Sequence, residues 1–524
     1  MKDRAIAFAR YARALGPWLR APRTPADSVS SLRRQLANRE RAFLHTLQIG
    51  IYGNPRSPFR ALLRHAGAEH GDVAALVEQE GLEGALSKLH DDGVRVSIEE
   101  VKGMEPVVRG SLRLDVAPGD FDNPFVSKVY EARSGGTRSA GTRAAVDLES
   151  NSNMAAYEHL FREGFDLGGR PIGLWYPVPP GIAGINKAFT THKVGAPAER
   201  WFSQTQMRWG APFTLSAIFT AFTLAASRGA RRPIPWPVHT PPSEARTVAG
   251  WLAEKREWGP AAALHATPSS AVRVCLAAER HGLDISGTFF RCGGEPYTPG
   301  KAAVVEAAGC RGACNYHMAE AGGQLGIACA EPAELGDVHV VTDRVALIQR
   351  EREMEGGGSV GLLLFTTLLP TSTKLVLNIE TDDYGVVEER DCGCPVGQLG
   401  HRVHVHTIRN YAKLTSEGMT FMGSTLITMI EEVLPGRFGG AATDYQLVEA
   451  EDAEGLSRVS VVISPAVGPV DEAAVAETAI DYLASQGTGG AMMAGVWRES
   501  GTLRVERREP HMTTGSKITP LHVS

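Results

Sequence analysis

The chain has no unbroken apolar run of the ~20 residues that a membrane helix needs. Its longest apolar stretches, such as Pro212 to Ala226, are interrupted by Thr and Ser and read as buried helix. Basic charge is not in excess: 54 Lys and Arg stand against 59 Asp and Glu, for a net charge of -5. That balance gives nucleic acid no electrostatic footprint. The basic segment Met1 to Arg23 lacks the continuous apolar core of a secretory signal, and reads as a helix with a solvated basic face. There is no repeat of fixed period and no GxxxxGK[ST] phosphate loop. Cysteine is sparse and odd in number, at seven. With no signal segment, this predicts reduced thiols in the cytoplasm, with metal or core roles ahead of disulfides.

What is present is an ordinary globular composition, 43% hydrophobic and 22% charged, over 524 residues. At ~150 residues per domain that length exceeds one core. Leu32, Leu36, Phe43 and Leu47 recur at helical spacing and predict a helix across Ser28 to Gln48. From about Val107 to Pro332, short apolar runs alternate with helical segments and Gly/Pro turns, the pattern of α/β layering. The Pro- and Arg-rich stretch Arg228 to Arg246 reads as a surface loop within it. DVHVVTD, VALIQRE, VGLLLFTTLL and KLVLNIE then read as strands. Beyond about Asn410 a short helix, a strand, a helix from Asp471 to Gly487 and a last strand TLRVERRE make a small α+β unit.

Several segments carry chemistry. EARSGGTRSAGTR (Glu131 to Arg143) is the richest turn-forming stretch; its glycines let backbone N–H groups approach and cradle phosphate oxygens. RCGGEPYTPG is a tight turn with one carboxylate, Glu295. NYHMAEAGG places Glu320 after an aromatic, and LNIETDDYGVV ends a predicted strand with Thr381, Asp382 and Asp383. HTIRNYAKLTSEG lies at the composition change, and HMTTGSKITPLHVS carries one lysine, Lys517, near the end of the chain. DCGCP holds a CxC knuckle, Cys392 and Cys394, a half-site for tetrahedral zinc; CRGAC (Cys310, Cys314) is a rival pair whose spacing suits one helix face in a core.

This ordered series, from about Pro124 onward, resembles the adenylate-forming superfamily, in its phenylacetate–CoA ligase-like branch. The resemblance implies a large N-terminal α/β multi-sheet body, residues 1–409 with a helical segment over about 1–105, plus a small C-terminal α+β lid, residues 410–524. It implies that Ser134, Gly135, Gly136 and Thr137 handle the triphosphate, that Gly294, Glu295 and Pro296 lie against adenine beside Tyr316, and that Asp383 binds ribose hydroxyls. Glu320 would serve Mg²⁺, Arg409 would follow the last body strand, Ala412 and Lys413 would form the hinge, and Lys517 would be the lid lysine. His317 and Ala319 stand where the family has Gly and Thr or Ser; His317 is either a lid over the substrate carboxylate or a packing histidine. Matching zinc positions add Cys329 and His339 to Cys392 and Cys394, and four protein ligands would make the zinc structural.

The implied reaction converts an organic acid, aromatic or otherwise apolar, and ATP to an acyl-adenylate, with pyrophosphate leaving. The acyl group then passes to a thiol, with coenzyme A the first candidate. A carrier protein or an amine is the alternative acceptor, and a zinc-stabilised nucleotide-binding protein without turnover is the rival class. Both reactants are anions, so the site must supply positive charge; Mg²⁺, backbone N–H groups and Lys517 are the candidates. Trp175, Tyr176, Trp201, Phe202 and Trp209 are candidates for an acid pocket, with core packing the default reading. Neither the acid nor the oligomeric state follows from the sequence.

Overall fold

The computed structural model describes residues 2–126, 130–133, 143–210, 213–353, 359–410, 413–416, 419–511 and 521–523. Among them no helix is long and apolar enough to cross a membrane.

The N-terminal hundred residues are mostly helical. Helix Lys2–Arg20 buries Tyr11, Leu15 and Leu19 and turns Arg10, Arg13 and Arg20 outward. The single helix expected over Ser28 to Gln48 is two, Pro25–Ala37 and Arg39–Thr46. Asn38 divides them: its backbone N–H and its side-chain amide both return to Arg34 O, closing the first helix. The apolar face survives the break, because Leu32, Phe43 and Leu47 are all buried in one core.

One 13-stranded sheet organises the body. Its strands are β1 (Val96–Ser97), β2 (Ile172–Trp175), β3 (Arg200–Ser203), β4 (Pro237–His239), β5 (Ala263–Ala266), β6 (Phe289–Gly293) and β7 (Arg311–Met318). They continue with β8 (Gly323–Ala328), β9 (Val338–Val340), β10 (Val345–Glu353), β11 (Ser359–Thr367), β12 (Ile379–Glu389) and β13 (Val403–Asn410). The spatial order is β10-β11-β12-β13-β9-β8-β7-β6-β5-β2-β3-β4, with β1 alongside β12. From β7 to β4 the strands run parallel; β8 to β13 are antiparallel.

In the parallel half the direction of winding reverses between β2 and β5: β2, β3 and β4 step one way, β5, β6 and β7 the other. In open α/β sheets such a reversal opens a crevice at the carboxyl ends of the strands. β2 and β5 are buried along their whole lengths, as parallel strands covered on both faces must be.

Three further sequence expectations need correction. The predicted surface loop Arg228 to Arg246 contains the edge strand β4; Pro237 is tolerated because it opens the strand. KLVLNIE is not a strand. Asn378, at φ 48, breaks it, and β12 begins at Ile379 and runs through Asp382 and Asp383 instead of ending there. Cys310 and Cys314 do not share a helix face: Cys314 lies on β7 and Cys310 in the turn before it.

Downstream, β14 (Tyr445–Glu451), β15 (Ser457–Ile463), β16 (Leu503–Arg507) and β17 (Leu521–Val523) form a four-stranded sheet. It packs with helices Glu472–Ala484 and Thr488–Ser500 around its own core, which includes Tyr445, Val461 and Trp497. Asp471 caps the first helix as the sequence predicts, accepting from Ala473 N and Ala474 N. The second helix was not foreseen; Gly487, at φ 96, makes the sharp turn between the two.

Candidate active site

The turn after β6 is built by two glycines and a buried acid. Gly294 sits at φ 93, where a side chain would be strained. Glu295 folds inward and accepts from Ser269 N at 2.6 Å and Ser269 Oγ at 2.9 Å. Those donors lie in the first turn of helix Pro268–His281, where the helix dipole favours an anion. Lys301 Nζ adds an ion pair at 3.5 Å and also reaches Ser457 Oγ, on β15, at 2.9 Å. The Glu295 side chain is therefore satisfied within the protein, and the backbone around Gly294 and Pro296 is what the turn has to offer a ligand. Ser269 and Lys301 were missed from sequence, where neither stands out from surface residues.

Beside this turn, β6 pairs with β7 so that Gly293 faces Asn315, and Tyr316 follows. The Tyr316 hydroxyl donates to the Asp383 carboxylate, whose other oxygen accepts from Asn410 Nδ2 at 2.5 Å. Burial, then the Asp383 charge, push the Tyr316 phenol well up, so it remains a donor. Asp383 and Asn410 are register partners on β12 and β13; Arg409 is the partner of Tyr384. The residue brought to Asp383 is thus Asn410. The Arg409 guanidinium donates to Ile408 O at 3.2 Å.

Glu320 lies in the turn after β7 and pairs with Lys102 Nζ at 3.1 Å, at side-chain exposures of 13% and 9%. The N-terminal segment thus reaches the site. It does so again through β1, which runs parallel beside the start of β12, and through Asn378 Nδ2, which donates to Leu86 O and Val94 O. His317 is held neutral: burial first, then Lys187 and Arg291, keep its pKa well below the usual imidazole value. Ser134, Gly135, Gly136, Thr137, Ala412 and Lys517 lie outside the described residues; Lys413 opens a short hairpin, Lys413–Ser416 with Met419–Met422.

Trp175, Tyr176, Trp201 and Phe202 are buried core residues. Trp175 Nε1 donates to Thr240 O, Trp201 Nε1 to Tyr176 O, and the Tyr176 hydroxyl to Ala266 O. Gly184 is small because a Cβ there would come within 2.5 Å of the Trp201 ring. Trp209 is exposed.

A second group of residues was invisible in the sequence. Glu158, on helix Leu148–Gly164, and Arg291, on β6, form an ion pair at side-chain exposures of 2% and 4%. Burial pushes the Glu158 carboxyl up, but Arg291, His265 and Lys187 hold it down at about 2. Lys187 lies on helix Ala183–Lys193, which follows β2. Nothing in their spacing links these residues; only the fold brings them together.

The four predicted zinc ligands converge. Cys329, His339, Cys392 and Cys394 are all buried, with their ligating atoms within 4.8 Å of one another. His339 Nδ1 donates to His401 O at 2.7 Å, which turns Nε2 toward Cys394 Sγ at 3.1 Å and Cys392 Sγ at 3.5 Å. A carbonyl on the far ring nitrogen is the usual way a metal-binding histidine is oriented. Three thiols and one imidazole in this arrangement fit Zn²⁺. Cys329, Asp337 and His404 form an overlapping cluster. Cys310 and Cys314 instead hydrogen-bond to the carbonyls of Ile285 and Glu295.

No family model and no curated protein matches the sequence. Solved structures do match. A 2-hydroxyisobutyryl-CoA ligase in complex with 2-HIB-AMP and CoA, in the thioesterification state, is similar at a TM-score of 0.55 and 16% identity, over 93% of this chain and 90% of the ligase. A variant of the amide bond synthetase McbA from Marinactinospora thermotolerans is similar over 92% of each chain at 13% identity, with a TM-score of 0.39. The o-succinylbenzoate CoA synthetase MenE from Bacillus subtilis matches 72% of this chain and 65% of its own at 12% identity, also with a TM-score of 0.39. The first likeness establishes the fold: this chain has the architecture of an adenylate-forming acyl-CoA ligase, a large mixed sheet followed by a small C-terminal sheet with its own helices.

Proposed function

We propose that this chain activates an organic carboxylic acid with ATP to form an acyl-adenylate, then transfers the acyl group to a thiol, with coenzyme A the first candidate. One observation carries the reading. The turn at Gly294 and Tyr316 lie toward the carboxyl ends of the adjoining strands β6 and β7, and the Tyr316 hydroxyl joins them to Asp383 of β12, whose carboxylate is oriented by two donors. A buried, oriented carboxylate suits the hydroxyl pair of a ribose, and the flat approach at Gly294 suits a purine edge.

In this reading Asp383 accepts from the ribose hydroxyls and Tyr316 and Asn410 fix its direction. Glu320 would hold Mg²⁺, in place of its present pairing with Lys102. Mg²⁺ supplies positive charge against the phosphate oxygens during displacement. The loop at Ser134 to Thr137 contributes backbone donors, and Arg409 is a catalytic candidate with Glu320 and Lys517. Residues 410–524 act as a lid about Ala412 and Lys413 that brings Lys517 to the α-phosphate and then withdraws it for the acceptor thiol. Zinc at Cys329, His339, Cys392 and Cys394 pins β8, β9 and the connection from β12 to β13, and takes no part in the chemistry.

Acid-dependent exchange of labelled pyrophosphate into ATP, screened over an acid panel, tests the reading. Exchange with at least one acid, followed by thioester formation when CoA is added, is the expected result. Offering a carrier protein and an amine in parallel identifies the acceptor. Nucleotide binding with no exchange for any acid would leave a binding protein.

A further inference from the structure

We infer that the edge of the sheet at β4, with the two helices beside it, docks on an anionic lipid surface. The protein lies on the bilayer there and does not span it. The inference does not depend on the function proposed above.

The first support is exposed apolar surface. Eleven large apolar side chains stand well exposed among the described residues, and six of them belong to this corner. Five of the six, Trp209, Leu215, Ile218, Trp236 and Val238, lie in the stretch that leaves β3 and ends in β4, the last strand of the sheet. Trp209 is 62% exposed and Leu215 64%. Helix Thr214–Gly229 makes up most of that stretch and is apolar on both sides: Phe219 and Leu224 are buried, while Leu215 and Ile218 face water. The sixth side chain, Ile6, comes from helix Lys2–Arg20. Tyr11 Oη of that helix is 2.7 Å from Thr223 Oγ1, and a Cβ at Gly16 would stand 3.9 Å from the Ala230 Cβ. The two helices therefore point the same way, and Ile6 falls at the end that carries Leu215 and Ile218. Clustered exposed apolar side chains of this kind mark an interaction surface.

The second support is charge, and it selects the occupant. From Arg4 to Ala26 and from Arg200 to Ser243 the chain has ten arginines and no Asp or Glu, although its net charge is -5. Arg10, Arg13 and Arg20 are exposed on the first helix, and Arg208, Arg228 and Arg232 flank the second. The Arg228 guanidinium lies over the Trp236 ring at 5.6 Å, which puts charge and aromatic surface in one place. Tryptophan and arginine beside exposed aliphatic side chains match the boundary between headgroups and acyl chains. Anionic lipid attracts basic residues held at that boundary. A nucleic acid would meet the arginines and leave Leu215 and Ile218 in water. A two-fold contact with a second copy would set an acid-free surface against itself. Strand addition at the open edge of β4 is opposed by Pro235, Pro237 and Pro241, which have no N–H to donate.

Sedimentation of the full chain with lipid vesicles tests the inference. The probes are phosphatidylcholine alone and phosphatidylcholine with about a third phosphatidylglycerol. Binding to the anionic vesicles that falls as salt is raised, with little binding to the neutral ones, is the expected result. Arg10→Gln with Arg13→Gln should weaken binding about 25-fold, at about fivefold per arginine. Leu215→Gln with Ile218→Gln should weaken it by more than about tenfold. All four side chains are exposed, so melting should not change and lost binding is not lost folding. Val386→Gln, equally exposed but on β12 in the other half of the sheet, should bind as the full chain does. No binding to the anionic vesicles, equal binding to both kinds, or undiminished binding by either double variant would overturn the inference. Light scattering that shows a dimer in the full chain and a monomer in the Leu215→Gln, Ile218→Gln variant would assign the face to a second copy and overturn it as well.

Discussion

Replacing Asp383 by Asn tests binding at the proposed ribose site while keeping part of the folding contacts. The aspartate is 5% exposed and accepts from Tyr316 and from Asn410 Nδ2 at 2.5 Å. An asparagine of the same shape can still accept from Asn410 through its amide oxygen. Its NH₂ can donate to the Tyr316 oxygen, since a phenol accepts as well as donates. Asn410 keeps its acceptor and only the Tyr316 hydroxyl hydrogen loses one, so stability should fall by about 1–3 kcal/mol, half the loss expected of Ala. The ribose hydroxyls, by contrast, lose a charged acceptor and gain a neutral one. Hydrogen bonds to charged groups contribute roughly 1 kcal/mol more than neutral ones, so two such bonds lose about 2 kcal/mol. That corresponds to about a 30-fold weaker affinity for ATP. Calorimetric titration with ATP and thermal melting, run side by side, measure the two effects. Unchanged ATP affinity in a well-folded Asp383→Asn protein would refute the assignment. Asp383→Ala makes the contrast: it strands both donors at about 1–3 kcal/mol each, and should lower melting and binding together.

Replacing Lys517 by Ala should abolish pyrophosphate exchange while sparing thiol transfer from a supplied acyl-adenylate; retention of both half-reactions would remove the lid lysine from the mechanism. Protein purified without chelator should carry about one zinc per chain by elemental analysis, and Cys392→Ser with Cys394→Ser should lose it and melt lower; a metal-free protein of unchanged stability would contradict the zinc assignment. Glu158→Gln leaves Arg291 buried and unpaired and should cost about 3–5 kcal/mol by denaturant unfolding. The same pair sets a pH dependence. Because the Glu158 carboxyl is depressed from 4.5 to about 2, its stabilisation is complete above pH 4.5 and is lost as pH falls toward 2. Acid unfolding of the Glu158→Gln variant should lack that step.

Periodic and local signals transferred well from sequence. The Asp471 cap and the alternation of strands and helices before Pro332 were legible; the meeting of Cys329 and His339 with the CxC knuckle was implied by the family resemblance, and the cluster forms. What failed depended on single residues whose backbone departs from the regular. Asn38 splits a helix whose apolar face continues across the break, and Asn378 ends an apolar stretch that looks like a strand. The Glu158, Arg291 and Lys187 group was illegible for a different reason. Its members come from three elements more than a hundred residues apart at the extremes, and each alone resembles a surface charge. The commitment of Glu295 to Ser269 was hidden in the same way.

The partnership of Glu320 with Lys102, and the strip of β1 lying along β12, bear on how such a protein could be recombined. A crossover that swapped residues 1–105 for those of another protein of this fold would separate a lysine from its acid across the graft. It would also strip one margin from the strand that carries Asp383. Chimaeras made there should fail at the nucleotide even when every residue proposed to touch it is kept, whereas junctions placed after β13 would leave that strand and its neighbour intact.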